Sequence, residues 1–122
     1  MILIDTCSWI HSLRRNGDPA VRERVQRIVL SGEAAWCPQV RLELWNGVGS
    51  DEDRQTLKRW EQTLPELDIT PEVWELACEL ASRCRAKGRT VPHGDVVIAA
   101  CARHHGVAIE TTDKHFEWLT KL

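Results

Sequence analysis

The stretch Gly94-Asp95-Val96-Val97-Ile98-Ala99-Ala100-Cys101-Ala102-Arg103-His104-His105-Gly106-Val107-Ala108-Ile109-Glu110 decides the fold. Residues 95 to 105 read as a helix that is apolar nearly all round, and such a helix belongs inside a protein. Gly106 stops it. Val107 to Glu110 then read as a strand. A buried helix passing directly into a strand is the pattern of a β-α-β unit, whose crossover is right-handed and whose strands lie parallel.

Upstream, Thr70-Pro71 starts the clearest helical stripe, with Val73, Leu76, Ala77, Leu80, Ala81 and Cys84 at i, i+3, i+4, i+7, i+8 and i+11, ended by Gly88. Leu67 to Thr70 is a strand candidate. Ser50 or Asp51 caps a helix carrying Leu57, Trp60 and Leu64, and Pro38 opens another with Val40, Leu44, Trp45 and Val48. Ala34 to Cys37 reads as a strand. Asp18-Pro19 is a cap and first-turn pair for a helix with Val21, Val25, Ile28 and Val29, closed by Gly32. At the start, residues 2 to 5 are a short buried strand ending in Asp5, followed by a helix through Trp9, Ile10 and Leu13 that Asn16-Gly17 breaks. Downstream, Asp113 leads into a last short helix with Phe116, Trp118 and Leu119. The expectation is an α/β fold over residues 1–122 as one domain. It would be a three-layer α/β/α sandwich around a parallel sheet of four to five strands.

Composition narrows the function classes. The chain has 122 residues, 43% of them hydrophobic and 28% charged, which is enough for a core without disulfide or metal staples. The longest apolar run, Val96 to Ala102, falls far short of the roughly 18 residues a membrane span needs. Met1 to Ile4 lacks a basic leader and is followed by Asp5, so no signal peptide and a cytoplasmic location are expected. Five cysteines without a C-x-x-C spacing are read as reduced thiols. A net charge of −2 argues against a duplex-binding module. Twelve of the 16 cations, however, are arginine, the side chain suited to phosphate.

Ligands of an open parallel sheet bind beyond the carboxyl ends of its strands. Asp5 ends the first strand and Asp113 follows the last; Asp95 begins the buried helix, and Glu43 lies within a helix. Each aspartate also stands where Asp serves as an ordinary helix cap, worth about 1 kcal/mol. Glu43 cannot be a cap. Carboxylates about 4 Å apart repel by about 4 kcal/mol per pair at an effective dielectric of 20, so a cluster of four requires a neutralising cation. Oxygen ligands suit Mg²⁺ or Mn²⁺ better than Zn²⁺. Such an ion activates water for attack on phosphorus. Thr6, Ser8, Thr111 and Thr112 lie beside the acids and can orient a carboxylate, cap or pack.

Ile2-Leu3-Ile4-Asp5-Thr6, an isolated Glu43 behind Pro38, the run from Pro92 to Ala102, and Thr111-Thr112-Asp113-Lys114-His115-Phe116 together resemble the PIN domain. More narrowly they are similar to the VapC toxins of bacterial toxin–antitoxin pairs, and the resemblance spans the whole chain. It implies a Mg²⁺- or Mn²⁺-dependent endoribonuclease that cuts single-stranded RNA and leaves a 5′-phosphate and a 3′-hydroxyl. By position, Asp5, Asp95 and Asp113 would hold metal directly or through water. Glu43 would complete the catalytic set. His115 stands where many relatives carry another acid, which makes the edge of the site less negative. The resemblance also implies a homodimer and a small VapB-type antitoxin whose tail occludes the acidic pocket.

Other readings stay open on the residues alone. His11, His93, His104, His105 and His115 offer a metal-free ribonuclease that would yield a cyclic phosphate, and Cys101 with His104 and His105 offers zinc. A catalytically inactive PIN fold, or a receiver-like Mg²⁺-binding module acting through protein interaction, is the non-enzymatic alternative. Trp9, Trp45 and Trp60 supply either core or a partner groove. Arg14, Arg15, Arg41 and Lys114 supply either RNA contacts or solvated surface.

Overall fold

Leu3 and Ile4 are successive strand residues, so they point to opposite faces of the sheet, yet both are fully buried. Helices therefore cover both faces, giving α/β/α layers. The computed structural model describes residues 1–122. Strand β1 (Ile2–Ile4) is central, flanked by β2 (Ala34–Ala35) and β3 (Ala108–Glu110) in the order β2-β1-β3, with both pairs parallel. Ile2 stands opposite Ala34 and Ala108, and Ile4 opposite Glu110.

The helices are α1 (Thr6–Leu13), α2 (Pro19–Leu30), α3 (Pro38–Asn46), α4 (Asp51–Thr63), α5 (Pro71–Ala86), α6 (His93–His105) and α7 (His115–Leu119). Their starts follow local chemistry. Asp18 accepts from the Ala20 N–H at 2.9 Å ahead of Pro19, Ser50 from Asp53 at 3.1 Å, and Thr70 from Val73 at 3.3 Å ahead of Pro71. Gly106 ends α6 at φ +67°, a left-handed conformation that favours glycine. Every residue from Val96 to Ala102 is buried, with α6 packed on α3, α5, α7 and β3. No helix is long and apolar enough to cross a membrane.

Three strands form instead of the expected four to five. Leu67 to Thr70 is not a strand: Trp36 makes a single parallel bridge to Glu66, with the Trp36 N–H on the Pro65 carbonyl and the Leu67 N–H on the Trp36 carbonyl. The ladder cannot lengthen. Pro38, with no N–H to give, turns the neighbouring chain into α3, while the Asp68 carbonyl faces a ring nitrogen of His105 at 2.8 Å. Helix α6 starts two residues earlier than expected, so Asp95 lies within its first turn rather than at its cap.

Trp9 and Trp36 are core, Trp60 packs against them, and Trp74 is half exposed. Trp9 is fully buried with its ring centroid 4.5 Å from that of Trp60, and Trp36 meets Trp60 edge-on at 6.4 Å. Trp45 gives its N–H to Glu61 at 3.1 Å. Trp9 and Trp60 form no open groove; they fill the space between α1 and α4.

Candidate active site

The end of β1 delivers Asp5, and the end of β3 delivers Asp113 three residues beyond Glu110. Asp5 is 3% exposed, and its backbone N–H donates to the Glu110 carbonyl at 2.9 Å, which extends the β1–β3 pairing to the edge of the site. Its Oδ1 accepts from the Thr6 N–H at 2.7 Å, capping α1. Its Oδ2 accepts from the Thr111 hydroxyl at 2.9 Å and from the Cys7 thiol at 3.1 Å. The same Thr111 oxygen accepts from the Asp113 N–H at 2.9 Å. One hydroxyl thus ties two of the acids together.

Glu43 comes from α3. Its Oε1 accepts from the Thr6 hydroxyl at 2.5 Å and its Oε2 from Gln39, one turn earlier, at 2.8 Å. Gly94 lets α6 approach: a Cβ there would lie 2.2 Å from Oε2 of Glu43 and 3.0 Å from Nε2 of Gln39. Asp95 follows directly. His115 closes the edge, with Nδ1 3.1 Å from Oδ1 of Asp113 and 3.3 Å from Oδ2 of Asp95, while its backbone N–H donates to Asp113 at 2.9 Å.

All four acids therefore converge, and their electrostatics reflect it. Burial is the main force raising the Asp5 pKa; the donors Cys7, Thr111 and Thr6 pull the other way and Glu43 adds to the rise. Asp95 is pushed up to about 6, first by burial and then by Asp5, Asp113 and Glu43, against the pull of His115. The side chains and N–H groups that bond Asp5 and Glu43 are all uncharged. The negative charge is thus gathered without an arginine or lysine bonded to either acid.

The donor set fits a hard divalent ion. Asp95, Asp113 and His115 present ligand atoms within 4.8 Å of one another, giving carboxylate oxygens and one imidazole nitrogen. Asp5 stands outside that trio, deeper and tied to α1. Thiolates, which would favour zinc, do not contribute to the trio. Cys101 is fully buried with its thiol toward the carbonyls of Leu67 and Asp68 at 3.8 Å.

Several supporting groups are not evident from motif reading: Cys7, Gln39 and Gly94. Their signal is spacing, two residues after Asp5, one turn before Glu43 and directly before Asp95. Of the two readings open for Arg41, RNA contact or surface, the structure favours surface. Its guanidinium forks onto Glu66 at 2.6 and 3.3 Å and lies 3.8 Å from Glu61, so it is not free for RNA. Arg41 and Glu43 are two residues apart on a helix, roughly 200° around its axis, and so face opposite ways. Arg14 lines a small cleft shared with Glu43 and Asp53.

Comparison with known proteins gives the same picture. The PIN domain family matches residues 2–122. The chain is 34% identical to Ribonuclease VapC11 of Mycobacterium tuberculosis, across 100% of this chain and 93% of that one. It is 36% identical to Ribonuclease VapC21 of the same species over 81% of this chain and 74% of the relative. Among solved structures, VapBC2 from Rickettsia felis bound to a promoter DNA fragment has a chain that superposes with a TM-score of 0.82 at 18% identity, covering 100% of this chain and 96% of that one. This chain belongs to the PIN domain family, in its VapC ribonuclease branch.

Proposed function

We propose that this VapC-type PIN domain is the endoribonuclease toxin of a VapBC-type pair, cutting single-stranded RNA in the cytoplasm with Mg²⁺ or Mn²⁺. The observation that carries this reading is the convergence of Asp5, Glu43, Asp95 and Asp113 on one pocket, where burial, with repulsion from the other three acids, pushes Asp95 up to about 6. Relatives named as VapC ribonucleases over the whole chain support the activity.

Asp95, Asp113 and His115 are the groups proposed to hold the ion, with Asp5 behind them directly or through water. A divalent ion held there would acidify an attacking water and neutralise charge on the leaving oxygen. Glu43, fixed at both oxygens by Thr6 and Gln39, is the proposed acceptor of that water's proton. Thr111 keeps Asp5 and the Asp113 loop in register. Attack of that water on phosphorus would break the bond to the 3′-oxygen, which leaves and takes up a proton, so the products would end in a 5′-phosphate and a 3′-hydroxyl.

The proposed partners are a second copy of the chain and a VapB-type antitoxin. An acidic pocket with neutral donors offers a docking point for a basic antitoxin side chain, and the toxin–antitoxin structures sharing the fold support the pairing. The test is incubation of the purified protein with single-stranded RNA in Mg²⁺, Mn²⁺ or EDTA, beside Asp5→Asn. Cleavage is expected only with metal and only in the unaltered chain. Cleavage that survives EDTA, or products ending in a 2′,3′-cyclic phosphate, would overturn the metal mechanism in favour of a histidine one. A chain inert with both ions and dependent only on partner binding would be the inactive module.

A further inference from the structure

Five of the twelve arginines pair with carboxylates: Arg24, Arg27, Arg41, Arg54 and Arg83. Arg85 and Arg89 do not. The Arg85 guanidinium makes no hydrogen bond or ion pair, and that of Arg89 lies over the Trp118 ring at 4.4 Å from its centroid. Both line the same cleft of about 750 Å³ between the end of α5, the segment 88–91 and the start of α6. Ser82, Thr90 and His93 add hydrogen-bonding groups to its wall, and none of its ten lining residues is acidic.

The cleft lies near the acids. Val96, which lines it, directly follows Asp95 on α6. Under Arg89, the Trp118 ring stands 6.5 Å from the His115 ring, whose Nδ1 contacts Asp95 and Asp113. We propose that this cleft holds the phosphate backbone of the RNA strand on one side of the cut, with Arg85 and Arg89 as its phosphate contacts.

The proposal rests on the ribonuclease reading and adds to it the place where affinity resides. Four carboxylates repel a polyanion, so the strand must be held by cations set apart from them. Arginines already paired with carboxylates must give up that pairing to bind phosphate; Arg85 and Arg89 have none to give up. An acid-free wall preserves their field. Arg89 is also held in place by Trp118, which lowers the ordering cost of the contact.

The experiment measures binding of a short labelled single-stranded RNA by anisotropy, using the full chain carrying Asp5→Asn so that it is not cut. Arg85→Ala with Arg89→Ala should weaken binding at least tenfold and lower the slope of log K against log salt by about 1.4, at about 0.7 per phosphate contact on a single strand. Arg27→Ala, an exposed arginine paired with Glu23 on α2, should bind as the parent does. Should removing Arg89 from Trp118 unfold the protein, Arg85→Ala and Arg89→Lys are measured singly, with thermal melts alongside. Unchanged affinity and salt slope in folded variants overturn the proposal. So does intact RNA binding with loss of self-association or of antitoxin binding, which makes the cleft a protein interface. If the unaltered chain cuts RNA and the double variant cuts it with the same KM, this inference alone falls; if the unaltered chain neither binds nor cuts, the ribonuclease reading falls with it.

Discussion

Asp95→Asn tests the crowding of the four acids most directly, and its first effect is on stability. The Asp95 side chain is 15% exposed, and its pKa rises from 3.8 to about 6. An acid whose folded pKa lies above its unfolded one binds its proton more tightly when folded. Its contribution is therefore most favourable below pH 3.8, is lost as pH rises from 3.8 to 6, and is worst above 6. At neutral pH the ionised group costs the metal-free protein about 3 kcal/mol. Asparagine keeps the shape and drops the charge. Asp95→Asn should therefore stabilise the protein in EDTA at pH 7.5 by about 1–3 kcal/mol, the lower figure allowing for a weaker contact with His115. The gain should shrink below about 1 kcal/mol at pH 4. Urea or thermal melts at both pH values measure it, and a gain of 3 kcal/mol moves the midpoint by on the order of 10 °C. Mg²⁺ or Mn²⁺ should relieve the same cost in the unaltered chain, by about 2.7 kcal/mol at a hundredfold excess over its Kd, and should help the variant less. A variant no more stable than the parent in EDTA at pH 7.5, or a gain that persists undiminished at pH 4, would refute the cost of a buried charge crowded by its neighbours.

Two further predictions concern the walls of the site. Gly94→Ala places a Cβ 2.2 Å from Oε2 of Glu43, and because that atom ends a flexible side chain, the carboxylate moves and the fold stays. RNA cleavage should fall at least tenfold while the melting free energy changes by less than about 1 kcal/mol; an active variant would detach Glu43 from catalysis. His115 should give Mn²⁺ a nitrogen ligand, visible as ¹⁴N modulation in pulsed electron paramagnetic resonance of the Mn²⁺-loaded chain. His115→Ala should abolish that modulation and lower Mn²⁺ affinity more than Mg²⁺ affinity, because imidazole suits the transition metal; modulation that persists would remove His115 from the ligand set.

Much of this was legible in the sequence because the signals are local. Asp18-Pro19, Thr70-Pro71 and Gly106 fix helix ends through their own side chains or φ, and the apolar circumference of α6 follows from residue types alone. The short sheet was less legible. Leu67 and Ile69 alternate as a strand would, but the groups that engage the 67–68 carbonyls are Cys101 and His105, more than thirty residues away. Trp9, Trp36 and Trp60 come from separate elements, and nothing in their spacing says that they meet. Arg41 is different, since its position opposite Glu43 on α3 follows from helix geometry.

For Asp5, capping a helix and joining the acidic cluster are not rivals. Asp5 uses Oδ1 for the Thr6 N–H and turns Oδ2 toward Thr111 and Cys7, so one carboxylate starts a helix and joins the cluster. Asp113 uses a single oxygen, Oδ1, both to accept the His115 N–H at 2.9 Å and to approach the His115 ring at 3.1 Å. A helix cap is useful to the site because it fixes a carboxylate that repulsion would otherwise turn away. What aligns the two aspartates is the register of β1 with β3. Ile4 stands opposite Glu110, so the next residues, Asp5 and Thr111, meet across the end of the pair, and the Thr111 hydroxyl reaches back to the Asp113 N–H. A slip of one residue would turn Thr111 to the other face and separate the acids. The site is therefore set by the innermost strand pair, whose register is held by the complete burial of Leu3 and Ile4 rather than by any residue in the pocket.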